Sequence, residues 1–443
     1  MATDTLPAQL RKRDKERLQA YRDNLAFYQG DQWERATRRS TPRRLTFNYA
    51  ETIVHKATAY LMSGRAVTVH PDQPTEAAAA VAQTTEDALR QAWEQNSLDE
   101  LDFDTELDAA VLGDGAYKVT WDTTNKRVRV TSPDPSGIWV WTEPDDPAQL
   151  LRLASQYTID HDAAVARYPD AALTTKAQHT ITEEWTPTTL QVWLDDTPAV
   201  SQPNSYGFIP FVVFPNIRTP KQLWGRSDVA PMMAAQRELN RVATQLSRIL
   251  ELSGNPITVL ENVTDSADIA VAPGAVWEMP AESKAYLLDL LQHGGVKLHI
   301  DWLEAVYRAL HDISETPRSA FGGTQRDLSG VALTIELDPL IKKTNRKRLI
   351  RTGAYRRRND MILALLNAFG GAALPPANHT ITWGPLLPTD RSQTVADEVA
   401  LISAAVHSRR RASDTIGGVD DPDAELQRWL DEARQIASGQ PAP

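Results

Sequence analysis

The chain has 443 residues, 42% of them hydrophobic and 24% charged, so it can fill a large core and is not a disordered polymer. A net charge of −11 argues against a simple basic nucleic-acid binder, and the absence of cysteine excludes disulfides, thiolate-ligated metal sites and thiol nucleophiles. The N-terminal MATDTLPAQLRKRDKERLQAYRDN lacks the apolar centre of a secretory signal, and no apolar run nears the roughly 18–20 residues of a membrane span. A soluble protein with no membrane partner is expected.

Leu10, Leu18, Tyr21, Leu25 and Tyr28 predict a helix over 8–28, ended at Gly30. An arginine-rich segment leads to helices at 48–62, 74–96 and 99–112. The period then shortens: 116–121, 126–131, 138–143, 179–185, 189–195 and 210–216 are rich in β-branched and aromatic residues, with a hairpin across DTTN (122–125). From 229, Met232, Ala235, Leu239, Val242, Leu246 and Ile249 repeat at three and four residues, a coiled-coil-like seam that stops at Ser253-Gly254-Asn255-Pro256. A β-rich insert (256–263, 269–279) is followed by a second long helix from Val296 to just before Pro317, with Trp302, Leu303, Val306, Leu310 and Ile313 on one face.

The loop TPRSAFGGTQRDLSGVALTI (316–335) opens a third helix running from Gly330 to Ala368, where Asp338-Pro339 predicts a kink or restart. The tail holds a strand at 379–383 and helices at 391–408 and 422–437. The fold class expected is α+β, mainly helical.

Few motifs carry chemistry. The 316–335 loop has neither phosphate-loop spacing and follows a helix, yet it exceeds the roughly two to eight residues usual between helices. Asp102, Asp104 and Asp108 in DELDFDTELD could hold a divalent cation for a metal-dependent nuclease, or could be a solvated helix face with Leu101, Leu107 and Val111 buried. The histidines never fall in H-x-x-x-H or H-E-x-x-H. His299 and His311 are expected on the exposed side of their helix, and GRSD (225–228) only superficially resembles a nucleophile motif. The segment KKTNRKRLIRTGAYRRR (342–358) holds nine Lys/Arg and no acid. Either acids from elsewhere in the chain lace it, or Lys342, Lys343, Arg346, Lys347, Arg348 and Arg351 meet phosphates or acidic neighbouring subunits. No enzyme, cofactor or metal is expected, and an acidic scaffold or adaptor protein is the alternative to the reading that follows.

Several stretches together resemble the portal proteins of tailed bacteriophages, of the SPP1-like siphophage group. They are YRDNLAFYQGDQW (21–33), FNYAETIVHKATAYLMSG (47–64), LWGRSDVAPMMAAQRELNRVATQLSRILELSGNP (223–256), APGAVWEMP (272–280), SGVAL (329–333) and DDPDAELQRWLDE (420–432). The resemblance implies a wing from 1–228 and 334–390, a stem of two antiparallel helices (229–254, 296–316), an α/β clip (255–295), a tunnel loop (317–333) and a crown with tail (391–443). It implies a ring of about twelve or thirteen subunits at one capsid vertex, assembled in the host cytoplasm, through which DNA is packaged and ejected. Thr324, Gln325, Arg326, Asp327, Leu328, Ser329, Gly330 and Val331 would line the channel, and Glu261, Asp265, Trp277 and Glu278 would bind clip partners. Implied partners are double-stranded DNA, the terminase large subunit, a head-completion protein, and the major capsid and scaffolding proteins.

Overall fold

A computed structural model of the chain describes residues 5–33, 44–146, 149–169, 171, 173–254, 258–261, 284–287, 295–322, 330–387, 391–416 and 422–437. The chain divides into two compact units, Met1–Thr382 and Trp383–Pro443. Among the described residues it is mixed α/β with helix dominant.

The N-terminal stripe forms two helices rather than one, α1 (Leu6–Leu10) and α2 (Lys15–Tyr28). Asp14 takes a left-handed φ of 54° between them, which no helix accommodates. Next come α3 (Tyr49–Leu61), whose Asn48 cap accepts from the Glu51 N–H, and β1 (Arg65–His70). Then follow α4 (Glu76–Gln95), capped by Thr75, and α5 (Leu98–Leu112), which ends at Gly113.

The sheet region runs β2 (Asp114–Asp122), β3 (Arg127–Thr131), β4 (Ile138–Thr142), β5 (Leu150–Asp160), α6 (His161–Arg167), β6 (Gln178–Trp185), β7 (Thr189–Leu194), β8 (Thr197–Pro203) and β9 (Phe211–Pro215). Strands β3–β2–β9 make one antiparallel sheet and β4–β5–β6–β7–β8 a second. The β2–β3 hairpin forms as its turn chemistry predicts: the Asp122 carboxylate accepts from the Thr124 and Asn125 N–H groups. Of β1–β9, three strands escaped the period-2 pattern. Central β5 buries Leu153, Ala154 and Ser155 in succession because both faces are covered, so it does not alternate. Edge strand β8 carries Pro198 and Pro203, and β1 shows only a short alternation. One face of the large sheet packs Trp139 and Ala154 against Leu6 and Leu10; the other buries Ile138, Val140, Leu153 and Trp185 with Phe211.

A turn at Ala230–Met232 leads into α7 (Met233–Gly254), followed by β10 (Thr258–Glu261), β11 (Lys284–Leu287) and α8 (Gly295–Ser314). Helices α7 and α8 are antiparallel: Leu310 packs with Val229 and Met232, whereas Trp302, eight residues earlier, donates to Glu238. Strands β10 and β11 pair antiparallel. Burial along the seam fades outward, from Leu239 at 2% and Val242 at 1% exposure to half-buried Leu246 and Ile249. His311 is not on the exposed side. It is buried, with Nδ1 2.7 Å from the Thr316 carbonyl and its ring edge-on to Tyr307 and Phe321.

After a turn at Arg318–Phe321, α9 (Gly330–Phe369) runs unbroken through Pro339, so no restart occurs there. Buried Leu337 and Leu340 hold both sides of the proline against the core. Strand β12 (Asn378–Trp383) pairs with β1. In the second unit the helix expected over 391–408 stops early, as α10 (Arg391–Ser403); Ala405 takes φ 56°, and an unexpected further helix, α11 (Arg409–Ile416), follows. Helix α12 (Pro422–Ala437) follows, and Arg409 stacks 3.9 Å over Trp429.

Where α5 passes into β2, backbones meet without side-chain room. Gly113 has φ +124°, and a Cβ on Gly225 would stand 2.4 Å from the Gly113 carbonyl oxygen and 2.7 Å from Pro215 Cβ. Gly225→Ala should therefore cost about 1–3 kcal/mol in denaturant unfolding. Gly353→Ala, in mid-α9 with nothing within 4 Å, should gain about 0.5–1 kcal/mol. Equal midpoints for the two variants would contradict the packing described.

Candidate functional site

The basic segment of α9 is the densest electrostatic feature of the described residues, and most of it faces inward. Lys343, Lys347, Arg348 and Arg351 are 7% exposed or less. Lys343 Nζ donates to the Ser314 carbonyl at 2.9 Å and lies 2.9 Å from Asp228 Oδ1. Lys347 Nζ reaches Asp228 Oδ2 at 2.5 Å and Glu106 Oε1 at 3.5 Å. Arg351 grips both Glu106 oxygens at 2.7 Å and donates to the Pro215 and Asn216 carbonyls. Arg348 donates to the Tyr60, Leu61 and Ser63 carbonyls at the end of α3. Two turns beyond Arg351, Arg358 pairs with Asp102, which also accepts from Arg65 at 2.5 Å.

Of the two open readings of the segment, these contacts favour the first, lacing by acids from elsewhere in the chain. Four of its six named cations have no surface to offer a phosphate or a neighbouring subunit, because acids and carbonyls of the same chain take up their donors. The exposed two are also paired locally, Lys342 with Asp338 at 2.8 Å and Arg346 with Glu315 at 2.5 Å. The acidic run supplies part of this lacing. Asp102 and Glu106 are buried, with Leu98 and Ala109 on the same inner face and Val111 buried on the other side of the helix, while Leu101 and Leu107 are only half-buried. Asp104 and Asp108 face outward, so the three aspartates share no site. Packing, then the charges of Asp134 and Asp104, push the Asp108 carboxyl up to about 6.

The GRSD motif is a joint. Buried Ser227 Oγ donates to the Val111 carbonyl at 2.6 Å and accepts from the Val229 N–H, tying the end of α5 to the start of the α7–α8 hairpin. Asp228 beside it receives the two lysines. Burial alone would raise its carboxyl, but the charges of Lys343 and Lys347 hold it well below the usual carboxylate range. Sequence spacing also missed a chain of contacts across separate elements: His161 Nδ1, at the start of α6, lies 3.0 Å from His179 Nε2 on β6, and His179 Nδ1 lies 3.0 Å from Asp195 Oδ2 just after β7. No hydroxyl nucleophile is hydrogen-bonded to this relay, and no group of three His, Asp or Glu among the described residues has metal-site geometry.

Of the expected channel residues, Thr324–Ser329 lie outside the described residues, and Gly330 and Val331 form the first turn of α9 rather than a loop. Of the expected clip residues, Glu261 ends β10, while Asp265, Trp277 and Glu278 lie outside the described residues. No helix of the described residues is long and apolar enough to cross a membrane.

The subunit thus carries a helical hairpin tipped by two strands, followed by a 40-residue helix whose basic face anchors the hairpin's base. The chain matches, from residue 8 to residue 439, the family model described as phage portal protein, SPP1 Gp6-like. The chain belongs to this portal family. No curated protein matches it. Portal proteins of this family are non-enzymatic components of the virion's capsid vertex: ring-forming head–tail connectors that take part in DNA packaging and interact with DNA and terminase.

Asp228→Asn leaves two buried lysines facing one neutral amide and should cost about 3–5 kcal/mol at neutral pH. Because the folded-state pKa of Asp228 is depressed, its contribution is full above the unfolded value near 4 and fades as pH falls further. Denaturant midpoints of parent and variant should therefore converge in acid. A gap unchanged from pH 7 to pH 3 would mean the pairing does not stabilise the fold.

Proposed function

We propose that the chain forms a closed ring of about twelve or thirteen copies, with α7 and α8 as stem, 255–295 as clip, 317–333 as tunnel loop, 1–228 and 334–390 as wing, and 391–443 as crown. The clip docks the terminase large subunit during packaging and a head-completion protein afterwards, and the wing meets capsid and scaffolding proteins. The ring assembles in the host cytoplasm before it is built into the virion. It has no catalytic activity of its own.

One observation carries the ring: the outer half of the α7–α8 hairpin leaves large apolar side chains uncovered. Leu250, Leu298, Ile300 and Trp302 are 51%, 72%, 43% and 51% exposed, though the inner half of the same hairpin is closely packed. Scattered exposed apolar residues are ordinary, but a run along one hairpin marks an interface. Ile335 at 70% exposure extends the feature to the first turns of α9. Supporting a channel through the ring is the charge balance. Net charge is −11, and the cations from Lys342 to Arg351 are engaged within the chain rather than left to grip phosphates and release counterions. A duplex then slides with little salt-dependent friction. A metal-dependent nuclease has no comparable support, since Asp102 already accepts from two arginines.

Native mass measurement should give a closed ring of 49.2 kDa subunits, without ATPase or nuclease turnover in magnesium. Leu298→Glu should shift the population to monomer and small oligomers while leaving its circular dichroism unchanged, because the side chain is exposed in the single subunit. An L298E protein that still forms full rings would remove the hairpin from the interface. A parent protein that stays monomeric would sink the ring itself.

A further inference from the structure

Helices α5 and α9 meet along Asp102 and Glu106 on one and Lys347, Arg351 and Arg358 on the other. A step of two residues turns a helix by about 200°. Asp104 and Asp108, two residues beyond Asp102 and Glu106, therefore point away from α9. Leu349 and Arg356, two residues from Lys347 and Arg358, point away from α5. The outer faces of the helix pair look in opposite directions.

Each face carries charge that the subunit leaves unanswered. On α5, Glu100, Asp104 and Asp108 recur every four residues and are all exposed, a spacing at which like charges destabilise a helix. Exposed Asp134, turned to the Ser136 N–H, adds its charge to theirs. Among the described residues no Lys or Arg pairs with any of these four acids. Packing and then repulsion from Asp134 and Asp104 raise the Asp108 carboxyl, with no cation to lower it.

On α9 the excess has the opposite sign. Arg356 and Arg357 are exposed and form no ion pair among the described residues. Arg357 makes one long hydrogen bond, 3.5 Å to the Val213 carbonyl. Packing and then the charge of exposed Arg218 pull its guanidinium below the usual arginine range. Asp360, one turn beyond Arg356, lies 3.8 Å from His379 Nδ1. Beside these arginines the face is apolar and open: Leu349 is 77% exposed, and a Cβ on Gly353 would meet nothing within 4 Å.

We propose that these two faces meet across the subunit boundary: Arg356, Arg357 and Arg218 of one copy lie on Asp104, Asp108 and Asp134 of the next, with Leu349 packed beside them. The inference rests on the ring proposed above. Head-to-tail association brings two different surfaces of one subunit together, and opposite sides of one helix pair supply them. Complementary charge then fixes partner and register. Nucleic acid fits the same face less well, since a phosphate backbone would satisfy the arginines but leave Leu349 in water and the acids unanswered.

The test measures native mass of the full chain at low salt for the parent and three variants. One carries Arg356→Glu with Arg357→Glu, one Asp104→Lys with Asp108→Lys, and one all four substitutions. Each reversed pair sets like charges against like and should lower the ring fraction by about tenfold or more; the combined variant should restore it. Misfolding caused by either pair would persist in the combined variant, so restored rings exclude it. Rings that survive both reversals, or that fail to return in the combined variant, overturn this contact and leave the ring standing. A parent that never assembles overturns both. Normal rings of the arginine variant that retain a short DNA duplex less well would give that face to nucleic acid and overturn the contact.

Discussion

Everything in the first unit turns on how α9 brings cations into the interior. Lys343, Lys347, Arg348, Arg351 and Arg358, joined by Arg65 from β1, outnumber the buried acids Asp102, Glu106 and Asp228 that answer them. Buried cations without partners would cost several kcal/mol each. The excess is met by two other kinds of acceptor. Arg348 lies on the carbonyls that end α3 and Lys343 on the carbonyl that ends α8, where the helix dipole is negative. Arg358 also sits among the faces of Trp93, Tyr117 and Tyr355, within 5.4 Å of each ring centre.

The same contacts join the two feet of the α7–α8 hairpin. Asp228 stands just before α7 and Ser314 is the last residue of α8, and a single ammonium, Lys343, touches both. Ser227 adds a bond to the end of α5, and Arg346 clasps Glu315 from outside. The base of the hairpin is thus held by several directional polar contacts, whereas toward the tip the cover thins: Trp302 donates to Glu238, and Leu250, Leu298 and Ile300 stand exposed. A helical pair secured at its base and thinly covered toward its tip is the part of the subunit that the proposed ring would complete.

Much of this order was legible because helices advertise a face. The seam of Met232, Leu239 and Val242, the hairpin turn at Asp122 and the span of α9 all follow from periodicity and turn chemistry. What hid from the sequence was of another kind. Strand β5 is covered on both sides, so its pattern is continuous rather than alternating. His311 has the spacing of a polar surface residue, yet its helix is packed on two sides where Phe321 and Thr316 fold back. The nine cations of 342–358 gave two open readings, since no local rule says whether an arginine's acceptor lies in its own chain; Glu106, Asp228 and Asn216 are distant in sequence. GRSD carried the decisive acid in plain view, but the serine drew attention to catalysis and away from architecture. The loop from Thr324 to Ser329 and the clip residues Asp265, Trp277 and Glu278 rest on the family resemblance alone, because they lie outside the described residues.

An apolar core of equal volume could hold α9 to α5 with no desolvation cost, so stability does not explain this arrangement. Geometry does. Apolar contacts tolerate sliding by a fraction of a turn, but Arg351 meets both oxygens of Glu106 in only one register, and Lys343 reaches Asp228 and Ser314 together in only one. A slip of α9 by one residue would rotate every one of these cations by about 100° away from its acceptor. The first turns of α9 lie directly beyond the loop, so the register that the ion pairs impose at 343–358 is also imposed on the segment that precedes them. In a ring, that segment must stand at the same height in every subunit, and a helix locked by paired charges meets that requirement where a greased one would not.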